Sequence, residues 1–165
     1  MAVRPRGSEQ LTSHARGIQS VLFVCIGNLC RSPMAAGLFM HHIKGLLHPP
    51  SVASAGLRAV VGAPAEPLAL ALLAERGIDW SPHHAQQLTP ALVAAHDLVL
   101  VMDDEQRRSV ERLHPPSMGR VRRLGYFGDF DIPDPYRQPR AAFESSLALI
   151  ERGLADFERA FWTAP

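Results

Sequence analysis

Residues 21–33 read Val21-Leu22-Phe23-Val24-Cys25-Ile26-Gly27-Asn28-Leu29-Cys30-Arg31-Ser32-Pro33. The first four are a continuous apolar run rich in β-branched and aromatic residues, which suits a strand buried on both faces of a parallel sheet. A short loop follows. Pro33 then suits the first position of a helix, where a missing N–H costs nothing. The same alternation repeats outward. Ser51–Ser54 reads as a weak strand, and Leu68–Arg76 as a helix stopped by Gly77. Leu98–Met102 is a second strongly buried strand, after which Asp103 can cap a helix running from Asp104 to about Leu113. Pro115-Pro116 breaks the chain, Arg120–Leu124 is a further strand candidate, and the Gly- and Pro-rich residues 125–139 form a loop. Phe143, Leu147, Ile150, Leu154, Phe157 and Phe161 make one apolar stripe on a final helix. Strand and helix in alternation give an α/β fold with a parallel sheet, and such sheets bind ligands beyond the carboxyl ends of their strands.

Composition bounds the rest. A chain of 165 residues is one-domain length. With 47% apolar and 20% charged residues it can build a core, which excludes disorder throughout. Seventeen basic residues against 16 acidic ones leave a net charge of +1, without the electrostatic footprint of a nucleic-acid binder. The two cysteines exclude a disulfide scaffold and point to a reducing compartment. No apolar run approaches the roughly 20 residues that span a bilayer, and the basic N-terminus lacks the apolar stretch of a signal peptide. The expectation is a cytoplasmic protein with no membrane insertion. Residues 1–20 are expected to be a mobile extension, and 21–165 the domain.

The loop from Cys25 to Ser32 carries the chemistry. A loop that runs from a strand into a helix N-terminus aims backbone N–H groups at one centre, which binds anions. Gly27 and Asn28 are the residue types that most readily take the left-handed backbone of such a nest. Arg31 carries a fork matched to two phosphate oxygens. Cys25, at the strand end, is stabilised as a thiolate by these surroundings, and Ser32 can donate a hydrogen bond to its sulfur. The assembly is an anion cradle with a nucleophile at its base, suited to attack on phosphorus without a metal or other cofactor. It is not the nucleotide P-loop, because no GxxxxGK[ST] is present. A leaving group also needs a proton. Asp134, framed by Pro133 and Pro135 with Tyr136 as an aromatic wall, is the first candidate for that acid; Asp129 and Asp131 are rivals on the same loop.

Residues 24–33, together with Asp134-Pro135-Tyr136 near the last helix, resemble the signature of the low-molecular-weight protein tyrosine phosphatases, over residues 21 to about 162. The resemblance implies a four-stranded parallel sheet flanked by helices. It implies Cys25 as nucleophile, Arg31 as phosphate clamp, and Asp134 as acid and then base. Ile26, Gly27, Asn28, Leu29, Cys30 and Ser32 would form and support the phosphate loop, helped by Ser54 from Ser54-Ala55-Gly56. His83 would support Ser54 and Asn28. Ile26, Leu57 and Tyr136 would be substrate walls, and Cys30 would trap oxidised Cys25 as a reversible disulfide. Ser54-Ala55-Gly56-Leu57, Val61-Gly62-Ala63 and the stretch from Asp131 to Arg137 are similar to the bacterial branch serving capsule and exopolysaccharide synthesis. That branch acts on the tyrosine-rich tail of a partner membrane tyrosine kinase. Gln86 stands where the family usually has Arg.

Other readings fare less well. Adjacent pairs His41-His42 and His83-His84 lack metal-ligand spacing, so no metal site is expected. Arg120, Arg122 and Arg123 read as a solvated strand face. Thioredoxin-coupled arsenate reductases on this fold need two further cysteines downstream, and none follows Cys30. Protein-arginine phosphatases carry Thr where Leu29 stands, and an apolar residue suits an aromatic leaving group better than a guanidinium. A non-catalytic phosphotyrosine-binding module would need neither the nucleophile nor the acid.

Overall fold

The computed structural model describes residues 17–163. Four strands, β1 (Ser20–Cys25), β2 (Ser51–Gly56), β3 (Leu98–Val101) and β4 (Val121–Arg123), form one sheet in the order β2-β1-β3-β4. All pairs are parallel, with Cys25 level with Gly56 and Val24 level with Val101. Among the described residues, five α-helices cover it: α1 (Arg31–His42), α2 (Pro67–Glu75), α3 (Pro90–Ala94), α4 (Asp104–Leu113) and α5 (Arg140–Phe161).

The near-continuous apolar runs of β1 and β3 follow from burial on both faces. Val21, Phe23, Leu98 and Leu100 face a core layer built with Met34, Leu38 and Phe39 of α1, Leu72 and Leu73 of α2, and the stripe Phe143, Leu147, Ile150, Leu154 and Phe157 of α5. Leu22, Val24, Val99 and Val101 face the other layer, with Val93 of α3 and Val110 of α4. Each such buried Val, Leu or Phe contributes about 1.5–3 kcal/mol of transfer free energy.

The structure adjusts several boundaries. The strand pairing starts at Ser20, Ile18 packs against the core, and the Gln19 N–H donates to Asp97 Oδ2 at 2.7 Å. The fold therefore includes the last residues assigned to the extension, whose residues 1–16 lie outside the described region. Helix α1 starts at Arg31, so Pro33 is its third residue. That position is still in the first turn, whose N–H groups have no helical partner. Helix α3 was not anticipated, although Thr89-Pro90 is a start signal: Thr89 Oγ1 accepts the Leu92 N–H at 3.1 Å.

Strand β1 has a neighbour on each side, and the connections leave it in different directions. The crevice beyond the carboxyl ends of β1 and β3 is the switch point of the sheet. Cys25 ends β1 there, and Asp103 follows β3.

Candidate active site

The loop between β1 and α1 is held from behind. The Cys25 carbonyl accepts from Leu57 N–H, that of Ile26 from Arg58, that of Gly27 from Val60 and that of Leu29 from Glu66, at 2.9–3.2 Å. The Asn28 carbonyl accepts from His83 Nε2 at 2.9 Å, and that of Cys30 from the Met34 N–H at 3.0 Å. With these six carbonyls turned to protein donors, the loop's N–H groups are left to face the crevice. Helix α1 adds its positive end: no side chain caps it, and its first turn holds no acid.

Asn28 is the keystone. It is fully buried and takes φ of 58°. Its Nδ2 donates to Ser32 Oγ at 2.7 Å and to Ser54 Oγ at 3.0 Å, while its Oδ1 accepts the Gln86 N–H at 3.0 Å. Ser32 Oγ, already accepting from Asn28, has its own hydrogen to give to Cys25 Sγ, 2.9 Å away. Gly27 does not share the left-handed conformation expected of it. The glycine the loop requires is Gly56 of β2, where a Cβ would lie 2.5 Å from the Ile26 carbonyl oxygen and 3.0 Å from Asn28 N.

Arg31 is buried, and its Nη1 donates to the Ile132 carbonyl at 2.9 Å. The guanidinium also lies 4.0 Å from Asp103 Oδ2 and 3.6 Å from Asp134 Oδ2. The backbone before Asp134 is fixed: Ile132 N–H donates to the Met102 carbonyl and Ser146 Oγ to that of Pro133. The Asp134 side chain itself is 47% exposed and accepts from the Tyr136 N–H at 3.1 Å. Of its rivals, Asp129 and Asp131 are both paired with Arg123, at 2.6 and 3.0 Å.

A pocket of about 190 Å³ gathers these groups. Cys25, Ile26, Gly27, Leu29, Cys30 and Arg31 line it from the loop, Arg58 and Val60 from the chain after β2, and Asp134 and Tyr136 from the chain before α5. Asn28, Ser32 and Ser54 act from behind. Leu57 is not a wall of this pocket. Its side chain packs on the second core layer and borders a neighbouring pocket of about 390 Å³, so Arg58 and Val60 stand in its place. His83 reaches Asn28 but has no bond to Ser54. Burial pulls its pKa below the usual value, against the bond to Asn28, so the neutral ring donates through Nε2. Burial, then the neighbouring Cys25, pushes the Cys30 thiol up, which keeps it protonated.

Two glutamines were missed as parts of the site. Gln86 Nε2 donates to the Ser54 carbonyl at 2.9 Å, supplying a donor where the family usually has Arg. Gln87 ties down the wall loop, accepting from Ala59 N–H at 2.9 Å and donating to the Leu57 carbonyl at 2.8 Å. Two adjacent amides between Ala85 and Leu88 were the available signal.

A strand-to-helix loop with Cys25, Arg31 and Asp134 around one pocket, on this sheet topology, can be set beside known proteins. The sequence model of the low molecular weight phosphotyrosine protein phosphatase family matches residues 20–161. This chain belongs to that family. EpsP of Ralstonia solanacearum, named a probable low molecular weight protein-tyrosine-phosphatase, is 50% identical over 137 residues, covering 83% of this chain and 92% of EpsP. Among solved structures, Wzb of Vibrio vulnificus in complex with benzylphosphonate superposes with a TM-score of 0.81 at 33% identity, covering 87% of this chain and 99% of Wzb. The YwlE arginine phosphatase, as a cysteine-to-serine variant with a phosphorylated active-site serine, superposes with a TM-score of 0.78 at 28% identity, covering 85% of this chain and 93% of YwlE. This low molecular weight tyrosine phosphatase is an α/β enzyme, and among its described residues no helix is long and apolar enough to cross a membrane.

Proposed function

We propose that the enzyme hydrolyses protein phosphotyrosine through a cysteinyl-phosphate formed on Cys25, with the tyrosine-rich tail of a bacterial membrane tyrosine kinase of exopolysaccharide synthesis as its substrate. The observation that carries the chemistry is one pocket lined by Cys25, Arg31 and Asp134 over a loop whose carbonyls are all turned away. In the first step Cys25 Sγ attacks phosphorus, and the S–P bond forms as the P–O bond to tyrosine breaks. The loop N–H groups and the Arg31 fork stabilise the equatorial oxygens, and Asp134 gives its proton to the departing phenolate. In the second step the Asp134 carboxylate takes a proton from water. The resulting hydroxide forms the new P–O bond as the S–P bond breaks, releasing inorganic phosphate and the thiolate.

Leu29 and Tyr136 give the pocket apolar walls that suit the tyrosyl ring. The kinase assignment rests on the likeness to EpsP and Wzb, and a tyrosine-kinase gene beside this one would support it. The chemistry is tested by hydrolysis of a phosphotyrosine peptide in EDTA, comparing the native protein with Cys25→Ser. Metal-free activity that vanishes in the variant is expected. A native protein inactive on phosphotyrosine but active on phosphoarginine would move the assignment to the arginine phosphatases.

A further inference from the structure

Among the described residues, most arginines donate to a carboxylate, a hydroxyl or a backbone carbonyl. Arg58, Arg137 and Arg152 do not; Arg152 lies over the Phe130 ring, whereas Arg58 lines the catalytic pocket and Arg137 stacks on its wall residue Tyr136. Arg58 lines that pocket and the neighbouring one, and its backbone N–H, bonded to the Ile26 carbonyl at 2.9 Å, fixes it against the cradle loop. Arg137 takes φ of 62° in a turn closed by Gln138 N–H on the Pro135 carbonyl. Its guanidinium carbon lies 5.2 Å from the centroid of Tyr136, a pocket-lining ring.

The carboxylates nearby are largely committed. Asp103 serves Gln106 N–H and Arg31, and Asp134 serves Tyr136 N–H and Arg31. Glu105, on the neighbouring pocket, faces solvent, and the half-buried Glu66 stands close enough to Cys30 to help burial raise its pKa. The reacting phosphate is neutralised within the cradle, so rim charges act on what flanks it. Guanidinium forks match carboxylates and phosphates, and exposed charges steer association.

We propose that Arg58 and Arg137 are specificity-determining residues that select phosphotyrosines carrying a second anionic group on a neighbouring residue, a carboxylate or another tyrosyl phosphate. The proposal deepens the phosphotyrosine reading above and rests on it. The test uses three peptides alike except beside the phosphotyrosine: alanines, glutamates, or a second phosphotyrosine. For each protein the readout is the ratio of kcat/KM, per phosphotyrosine, between an anionic and the alanine peptide. The native ratio is expected at about five- to tenfold in low salt and to shrink in about 0.5 M salt. Arg58→Ala and Arg137→Ala should each cut it about two- to threefold, and the double variant should bring it near one. Glu105→Gln should raise it. The larger of the glutamate and phosphotyrosine ratios names the anion.

A native ratio near one, or a ratio that survives the double variant, overturns the proposal and leaves the phosphatase chemistry intact. If the native protein hydrolyses none of the peptides, the phosphotyrosine reading beneath it fails first.

Discussion

Helices α1 and α4 begin at the same edge of the sheet, and their first turns are built in contrary ways. Helix α4 is finished by its own carboxylates. Asp103 Oδ1 accepts the Gln106 N–H at 2.8 Å, and Asp104 and Glu105 stand in its first turn. Helix α1 has no side-chain cap, no acid in its first turn, and opens on Arg31. A helix start attracts negative charge. At α4 that attraction is satisfied internally and stabilises the fold. At α1 it is kept for a ligand, at a cost in helix stability that core contacts of Met34, Leu38 and Phe39 offset. The two ends also meet: the Asp103 oxygen not used in the cap lies 4.0 Å from Arg31 Nη1.

The sharpest way to break this contrast is the same truncation at each helix. Arg31→Ala should lower kcat/KM on a phosphotyrosine peptide by about 10³-fold or more, since it removes the charge clamp on the transferring phosphoryl group. The thermal midpoint should move by no more than about 2 °C, because removing a cation from a helix start offsets the lost hydrogen bond to the Ile132 carbonyl. Asp103→Ala should do the reverse. Loss of the cap costs about 1 kcal/mol, or roughly 3 °C in a domain of this size. Activity should fall within about tenfold, through a less firmly placed Arg31. Steady-state kinetics and calorimetry on both variants decide it. If Asp103→Ala proves the more damaging to kcat/KM, the division between ligand-directed and fold-directed helix ends is wrong.

A second test separates the two glycines on the α1 side. Gly27 sits in the loop itself, yet a Cβ there would meet nothing closer than the Leu29 side chain at 3.6 Å. At Gly56, on the neighbouring strand, it would press on the Ile26 carbonyl oxygen at 2.5 Å and on Asn28 N. Gly56→Ala should therefore destabilise by about 1–3 kcal/mol and displace the cradle, while Gly27→Ala should leave the denaturation midpoint unchanged. Chemical denaturation of the pair gives the answer. Equal losses would mean the loop needs glycine at 27 for a reason other than space.

These glycines also mark the limit of what the sequence conveys. The α/β layering was legible because β1 and β3 are apolar on both faces and α5 carries a clean stripe. Cys25, Arg31 and Asp134 were legible as candidates because they cluster at a strand end and between two prolines. What holds them was not. That Gly56 rather than Gly27 is the tight position depends on β2 lying level with Cys25, which is a matter of register. That Arg58 and Val60, not Leu57, line the pocket depends on Leu57 turning into the second core layer. Gln86 and Gln87 carry no signal beyond being adjacent amides, and their partners lie about 30 residues or more away in sequence.

The smallest expected effect concerns His83, which joins the loop apex to the segment carrying Gln86. Burial lowers its pKa below 6.5, so the folded protein favours the neutral ring while the unfolded chain titrates near the ordinary value. Well above about pH 6.5 both states hold the same neutral ring, and His83 adds nothing to the pH dependence of stability. As pH falls below that value the unfolded chain takes up the proton first, so stability drops until the folded-state pKa is reached. His83→Gln keeps an N–H donor for the Asn28 carbonyl and removes the titration. The fall in thermal midpoint between about pH 7.5 and about pH 5.5 should accordingly be smaller in the variant than in the native protein. An equal fall in both proteins would show that acid acts on the fold elsewhere. A variant already unstable at neutral pH would show instead that the imidazole ring's packing, rather than its single hydrogen bond, holds the apex of the loop.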